Sequence, residues 1–170
     1  MRRLKAHPRW RFVLIFAGMM VGGMTALLLD PVDDYIVEPF TSGLTKLSSL
    51  LIQLAGGAAS ASGEQLSLPG HCSVRVANGC NAVEASVTLA AAILAFPAPL
   101  TRRLAGLVVA VGMLQAINLL RIISLLYLSC WSARWFEFFH LYLWDAVIML
   151  DCVLIFIGFC RWQRSPPARP

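Results

Sequence analysis

Apolar runs of bilayer length dominate this chain and leave it few folds to adopt. Residues 12–29, 83–98, 104–129 and 139–160 each approach the ~20 residues that a helix needs to cross a membrane, although the second run is short. Proline cannot continue a helix ladder, so Pro97 and Pro99 end that second run sharply. Charged residues make up 14% of the 170 and hydrophobic ones 58%, whereas a soluble domain carries about 25% charged residues. The expected fold class is therefore all-α: a polytopic membrane protein, one domain over residues 1–170, with a bundle of about four transmembrane helices.

The charges orient the bundle. Arg2, Arg3, Lys5, Arg9 and Arg11 precede the first run, Arg102 and Arg103 join the second to the third, and Arg161, Arg164 and Arg169 follow the fourth. Four crossings put all of these on one side, which the positive-inside rule makes cytoplasmic, with both chain ends there. Asp30, Asp33, Asp34, Glu38, Glu64 and Glu137 fall on the other side. The expected location is the inner membrane of a bacterium. The net charge of +5 sits beside apolar segments with no interleaved aromatic residues on a polar surface, which argues against a nucleic-acid partner. The first run follows a basic stretch, as a signal peptide would. Its length, and Leu27-Leu28-Leu29 in place of a small-residue cleavage site, favour a retained helix.

Residues 30–82 form the expected periplasmic loop. Within it Ile36, Phe40, Leu44, Leu47, Leu51 and Leu54 recur at helical spacing, while Lys46, Ser48, Ser49 and Gln53 take other faces. This predicts an amphipathic helix over 35–55 lying at the outer interface. A fifth crossing near 44–61 is the rival, but it would leave Arg102 and Arg103 outside. Gly56 to Gly63 reads as a small-residue linker. Gln65 to Leu68 and Cys72 to Val76 alternate apolar and polar residues around Pro69-Gly70, a β-hairpin-like segment.

Three residues where these segments meet the outer face could carry chemistry. Asn78-Gly79 is a turn signal, which would set Cys80 in the first turn of the second helix, where unpaired N–H groups and the helix dipole favour thiolate. Glu84 shares that helix face and could orient a neighbouring Arg or His, or oppose the thiolate if left unpaired near the sulfur. A disulfide with Cys72 is an equally good reading of Cys80. Cys130 could also partner Cys72, and with 5 cysteines at least one thiol is free or pairs between chains. Cys152 and Cys160 read as small apolar residues.

Arg121 lies about eight residues from the outer end of its run, roughly 12 Å deep. A charge at that depth costs about 2.5–3.5 kcal/mol on insertion scales. Gln115, Asn118 and Arg121, three apart, form one polar stripe. It is either a fixed donor array for an anionic oxygen or the site of a buried pair of Arg121 with Glu84 or Asp145. His140 opens the fourth run, with Trp144 on the same helix face; it is a polar anchor or a base. A thiol, a fixed cation and an imidazole are the components of a thiol acyl-transfer site.

Other signals are weaker. His7 and His71 fit no metal-ligand spacing, and neither a metal nor a cofactor is expected. Tyr127, Trp131, Trp135 and Tyr142 suggest an interfacial aromatic belt. Ala90-Ala91-Ala92, Gly106 and Gly112 suggest close helix contacts.

Asn78-Gly79-Cys80-Asn81-Ala82-Val83-Glu84-Ala85, then Asn118-Leu119-Leu120-Arg121-Ile122, then Phe136-Glu137-Phe138-Phe139-His140 resemble the exosortase/archaeosortase family. The compact size and the Cys-Asn-x-Val-Glu-Ala form are most like its exosortase H branch. The resemblance covers about residues 78–144 in motif detail. It implies a multi-pass membrane cysteine transpeptidase acting on exported proteins whose C-terminus carries a short motif, one crossing helix and a basic tail; for this branch the motif is of Ile-Pro-Thr-Leu type. It implies Cys80 as nucleophile, Arg121 as the family arginine and His140 as the family histidine; Asn81, Glu84 and Asn118, from the reading of the residues themselves, are the expected supporting residues. Most family members are longer, with more crossings. Two other functions fit the same composition: a thiol–disulfide oxidoreductase, although no Cys-x-x-Cys occurs, and a non-enzymatic assembly subunit that uses Arg121 as a contact.

Overall fold

The computed structural model describes residues 8–70 and 72–164. Arg2, Arg3, Lys5, His7, His71 and Arg169 lie outside the described residues. The chain forms α1 (Pro8–Ala26), α2 (Asp30–Leu54), a three-stranded antiparallel sheet, α3 (Val83–Ala95), α4 (Leu100–Trp131) and α5 (Ala133–Arg164).

The helical bundle of the fold expectation is present. Among the described residues α4 and α5 are each long and apolar enough to cross a membrane, and α1 with α2 meets that test as a pair bent by 85°. Helix α3, with 13 residues, is about 20 Å long and falls short of a ~30 Å hydrocarbon core. It stops at Ala95, before the expected position 98, because the chain turns extended at Phe96 ahead of Pro97. Arg11 and Arg103 meet at one end of the bundle: they line one pocket with Phe96 and Pro97, and the Arg103 guanidinium donates to the Leu94 carbonyl.

Small residues bring the helices together. A side chain on Gly23 would strike Val87 of α3, and one on Gly106 would strike the Phe159 ring of α5. Gly112, expected to do the same, faces open space. Leu89, Ile93, Ala110, Leu114, Ile148 and Phe159 form the core of this bundle. Large apolar side chains such as Leu14, Val108, Leu120 and Met149 stay exposed on its outside, as a lipid-facing surface requires.

Helix α2 is the expected amphipathic helix, and its two faces differ in what they meet. Of the apolar stripe read from the sequence only Leu44 is buried, while Ile36, Phe40, Leu47, Leu51 and Leu54 point away from the protein. The buried face is hydroxyl-rich instead: Thr41, Thr45, Ser48 and Ser49. Thr45 Oγ1 donates to the Gly63 carbonyl at 2.6 Å, and Ser49 Oγ and Gln53 Nε2 donate to that of Ala59 at 3.0 and 2.7 Å. A helix with polar contacts to protein and an apolar face outward suits an interfacial position. Pro39 lies within this helix and lacks an N–H; the wide turn Asp33–Val37 upstream, closed by Glu38 N–H to the Asp33 carbonyl, takes up the mismatch.

The sheet consists of β1 (Ser60–Ser62), β2 (Gln65–Leu68) and β3 (Cys72–Arg75) in that order. The hairpin was expected; β1 was not, because its residues lie in the stretch read as a linker. Pairing sets Ala61, Leu66 and Val74 side by side on one face. That face closes over Ile52, Ile122 and Leu126 to make a second core. A disulfide joins Cys72 to Cys130, with the two Cα atoms 5.2 Å apart. It ties β3 to the last turn of α4 across 58 residues, worth about 4 kcal/mol in the chain-entropy model.

Candidate active site

Cys80 stands in a turn, not in a helix. Its N–H bonds the Ala77 carbonyl at 2.9 Å, Gly79 takes a positive φ of 87°, and α3 begins only at Val83. The expected first-turn position, and with it the direct helix-dipole effect on the sulfur, is therefore replaced by a loop held from three sides. Asn81 is the clamp. It is fully buried, its Nδ2 donates to Thr41 Oγ1 of α2 at 2.9 Å, and its Oδ1 accepts the Val83 N–H at 3.1 Å. Gln115 of α4 donates to the Asn81 carbonyl at 3.3 Å and to Ser86 Oγ at 3.1 Å. Ala82 is forced left-handed, with φ 55°, a conformation that costs a non-glycine residue roughly 1–2 kcal/mol. Glu84 accepts the Gly79 N–H at 3.1 Å, so its carboxylate caps the turn.

Arg121 is only 3% exposed in its side chain, and its Nη2 donates to Asp145 Oδ1 of α5 at 2.9 Å. The same nitrogen is 3.9 Å from Cys80 Sγ. Of the two partners open to Arg121 from the sequence, Asp145 is the one that binds it. Its Nε is buried without a partner, as is Asn118 Oδ1. Asn118 is fully buried and turns its amide nitrogen to Gln115 Oε1 at 3.3 Å. The polar stripe thus divides its work: Gln115 and Asn118 brace the cysteine loop, and Arg121 faces the sulfur.

His140 sits on a wide helical turn, Phe139–Leu143, closed by the Trp144 N–H to the Phe139 carbonyl. Such single π-turns interrupt the regular ladder and re-aim side chains. The imidazole stacks on Phe136, one turn before it, with centroids 5.5 Å apart. The expected neighbour Trp144 is not its stacking partner. Nδ1 and Nε2 lie 3.7 and 3.8 Å from Cys80 Sγ. Near-equal distances mean that neither nitrogen is aimed squarely at the sulfur; a small ring rotation aims one.

The structure thus brings Cys80, Arg121 and His140 together, with Asn81, Glu84 and Asn118 around them in supporting contacts. Asp145 is legible from the sequence as a possible partner, since an acid inside an apolar run needs one. Phe136 is legible only as part of the motif that ends at His140, and Thr41 carries no sequence signal.

Val74, Val76, Cys80, Arg121, Phe136 and His140 are among the residues lining a pocket of about 90 Å³. That is far below the roughly 300–1,000 Å³ of a small-molecule site and suits one side chain of a larger ligand. A larger groove of about 610 Å³ runs between α4 and α5. Apart from Asp151 its walls are apolar, and it holds no cysteine or histidine.

Burial pushes the Cys80 thiol above its ordinary value of 9.0; the Arg121 charge pulls it down, while Asp145 and Glu84 push it further up. The half-buried thiol therefore favours its protonated form, with a cation and an imidazole in reach. Cys80, Cys152 and Cys160 are free thiols among the described residues, and no group of His, Cys, Asp and Glu there could hold a metal ion.

An apolar helical bundle with a thiol, a guanidinium and an imidazole converging at one end defines a membrane protein with a candidate thiol site. The chain belongs to the transmembrane exosortase family, whose model matches residues 5–158, a family generally of cysteine peptidases and transpeptidases. No curated protein and no solved structure matches the chain.

Proposed function

We propose that the protein is a membrane cysteine transpeptidase or peptidase that cleaves and sorts exported proteins carrying a C-terminal motif, a crossing helix and a basic tail. The observation that carries this reading is the approach of Cys80 Sγ to both His140 ring nitrogens and to Arg121 Nη2, all within 3.9 Å. The motif of Ile-Pro-Thr-Leu type and the exosortase H branch enter through the resemblance of residues 78–144.

In the reading, α1, α4 and α5 cross the membrane, the short α3 makes the fourth crossing together with the extended residues that follow it, and the site faces the periplasm of a bacterial inner membrane. Two features support that orientation. Arg11 and Arg103 share the end of the bundle remote from Cys80, in keeping with the positive-inside rule. The Cys72–Cys130 bridge lies at the Cys80 end, and disulfides persist in oxidising compartments.

Cys80 attacks a backbone carbonyl carbon of the motif. As the C–S bond forms, the thiol proton passes to His140. The developing oxyanion lies against Arg121, a contribution on the order of 3–4 kcal/mol for one good donor in comparable sites. His140 returns its proton to the leaving amine, and the C–N bond breaks to leave a thioester. An incoming amine or water, deprotonated by His140, then releases the product. Acid–base help of this type is worth about 10²–10⁴-fold. Asp145 is a positioning residue that fixes the guanidinium. The substrate's own crossing helix diffuses in the bilayer and presents its motif at the site, which supplies part of the orientation.

The oxidoreductase alternative needs Cys80 to exchange with Cys72, and Cys72 is bonded to Cys130 instead. The assembly-subunit alternative gives the Cys80–His140 approach no role. The test is a Cys80→Ala variant expressed with a tailed substrate. The proposal expects uncleaved substrate to accumulate; normal processing refutes it.

A further inference from the structure

The three-stranded sheet ends beside the thiol, and no further strand pairs with its last strand. In the order β1-β2-β3, strand β3 is paired with another strand on one side only, and helix α4 packs close to it. Its register with β2 pairs Cys72 with Leu68, Ser73 with Ser67, Val74 with Leu66 and Arg75 with Gln65. The Val76 N–H bonds the Glu64 carbonyl at 2.9 Å. Antiparallel ladder bonds alternate along a strand, so Cys72, Val74 and Val76 turn their backbone groups to β2. Ser73 and Arg75 turn theirs outward, and both residues are exposed. Ala77 is next in that outward row, and its carbonyl is taken by the Cys80 N–H. The row of free backbone groups therefore stops where the nucleophile begins.

The pocket at Cys80 is lined by Val74 and Arg75 of this strand, by Val76 and Ala77 just after it, by Arg121 of α4 and by His140 of α5. We infer that the unpaired edge of β3 is the substrate-recognition element: the sorting motif binds as an added fourth strand, paired with the outward N–H and C=O groups of Ser73 and Arg75. This rests on the sorting function proposed above and says where the motif sits. Strand addition of this kind takes affinity from main-chain bonds and specificity from pockets for alternate side chains. Residues two apart on the peptide bond Ser73 and Arg75, and the carbonyl at the next such position meets Cys80 opposite Ala77. One aliphatic side chain of the motif fills the pocket of about 90 Å³. The occupant is an extended peptide because only a backbone supplies donors and acceptors at this spacing, about 6.8 Å for two residues. The edge is tied down by the Cys72–Cys130 bridge, so it is ordered before the peptide arrives.

The experiment compares Arg75→Pro with Arg75→Ala in the full chain in membranes, with a reporter ending in an Ile-Pro-Thr-Leu-type motif, a crossing helix and a basic tail. Both variants lose the guanidinium and its 3.0 Å pair with Glu64; only proline removes the outward N–H, and it breaks no β2–β3 bond. Arg75→Pro is expected to cleave about tenfold more slowly than Arg75→Ala, the worth of one hydrogen bond, with Cys80 alkylation equal in the two. Equal cleavage by both overturns the inference. A second measurement does not depend on activity. In a Cys80→Ala background, Ser73→Cys is expected to form disulfides with cysteines placed at alternate positions of the motif. Crosslinks at every position, at none, or only between two copies of the enzyme overturn it. Failure of the sorting reading itself is read separately, as continued cleavage by Cys80→Ala alone.

Discussion

One nitrogen of Arg121, Nη2, lies between two sulfur- and oxygen-borne groups: 2.9 Å from Asp145 Oδ1 and 3.9 Å from Cys80 Sγ. The carboxylate is 56% exposed and the guanidinium 3%, so a largely exposed acid holds a buried cation. Asp145 steadies Arg121 and also offsets its charge where the sulfur feels it.

Asp145→Asn therefore separates reactivity from catalysis. Removing the carboxylate removes an influence that raises the Cys80 pKa, so the thiol ionises at lower pH and iodoacetamide modifies it faster at neutral pH. Cleavage falls about tenfold or more, because a misplaced oxyanion donor costs rate. Parallel measurement of alkylation and substrate processing checks the opposite signs.

Arg121→Met should remove the donor without collapsing the fold, since the partner left behind is not buried within the protein. The expected loss of cleavage is about 10²–10³-fold, that of one oxyanion donor. The Cys80 pKa rises further, because Arg121 is the group that lowers it. Arg121→Lys keeps the charge but not the rigid fork, so cleavage stays well below the parent. Single-turnover kinetics on the tailed reporter measure both.

The alkylation rate of Cys80 in the parent protein should climb with pH through and beyond 9.0. Burial raises the thiol pKa above that value, and only the thiolate reacts. A rate already flat at pH 7 would mean a preformed thiolate and a different division of labour with His140.

Asn81→Ala should cost about 1–3 kcal/mol, because it strips partners from Thr41 and from the Val83 N–H inside a buried cluster. The loop then loosens, and cleavage falls more than thermal stability alone explains. Melting temperature and cleavage rate measured together test this; Asn81→Asp, which retains the acceptor for Val83, is expected to fall between the two.

The Cys72–Cys130 bridge should form while Cys80 stays free. Cys130→Ser is expected to lower stability by about 4 kcal/mol and to leave Cys72 open to thiol reagents. Mass spectrometry of the unreduced, alkylated protein checks the pairing; a Cys72–Cys80 bridge in the parent would remove the nucleophile.

The four helices and the convergence of Cys80, Arg121 and His140 were legible because each follows from a local rule. Apolar length marks a helix, and a charge or imidazole inside such a run must face protein or water. The start of α3 was not legible: Asn78-Gly79 signals a turn, but the extra bend at Ala82 depends on Asn81 being gripped by Thr41, forty residues away in sequence. The outward apolar stripe of α2 was legible as an amphipathic helix; its hydroxyl-rich inner face was not, because Thr45 and Ser49 find their carbonyls at Gly63 and Ala59, outside the helix. Strand β1 hid in small residues that carry almost no β signal. The choice between Cys80 and Cys130 as partner of Cys72 needed the distance across the sheet, which spacing does not contain.

The most direct test of the account is the covalent state of Cys80 during turnover. Protein co-expressed with a tailed reporter, quenched in acid and digested, should yield the Cys80 peptide joined to the reporter through a hydroxylamine-sensitive thioester. Absence of the adduct together with undiminished reporter processing by Cys80→Ala would contradict it.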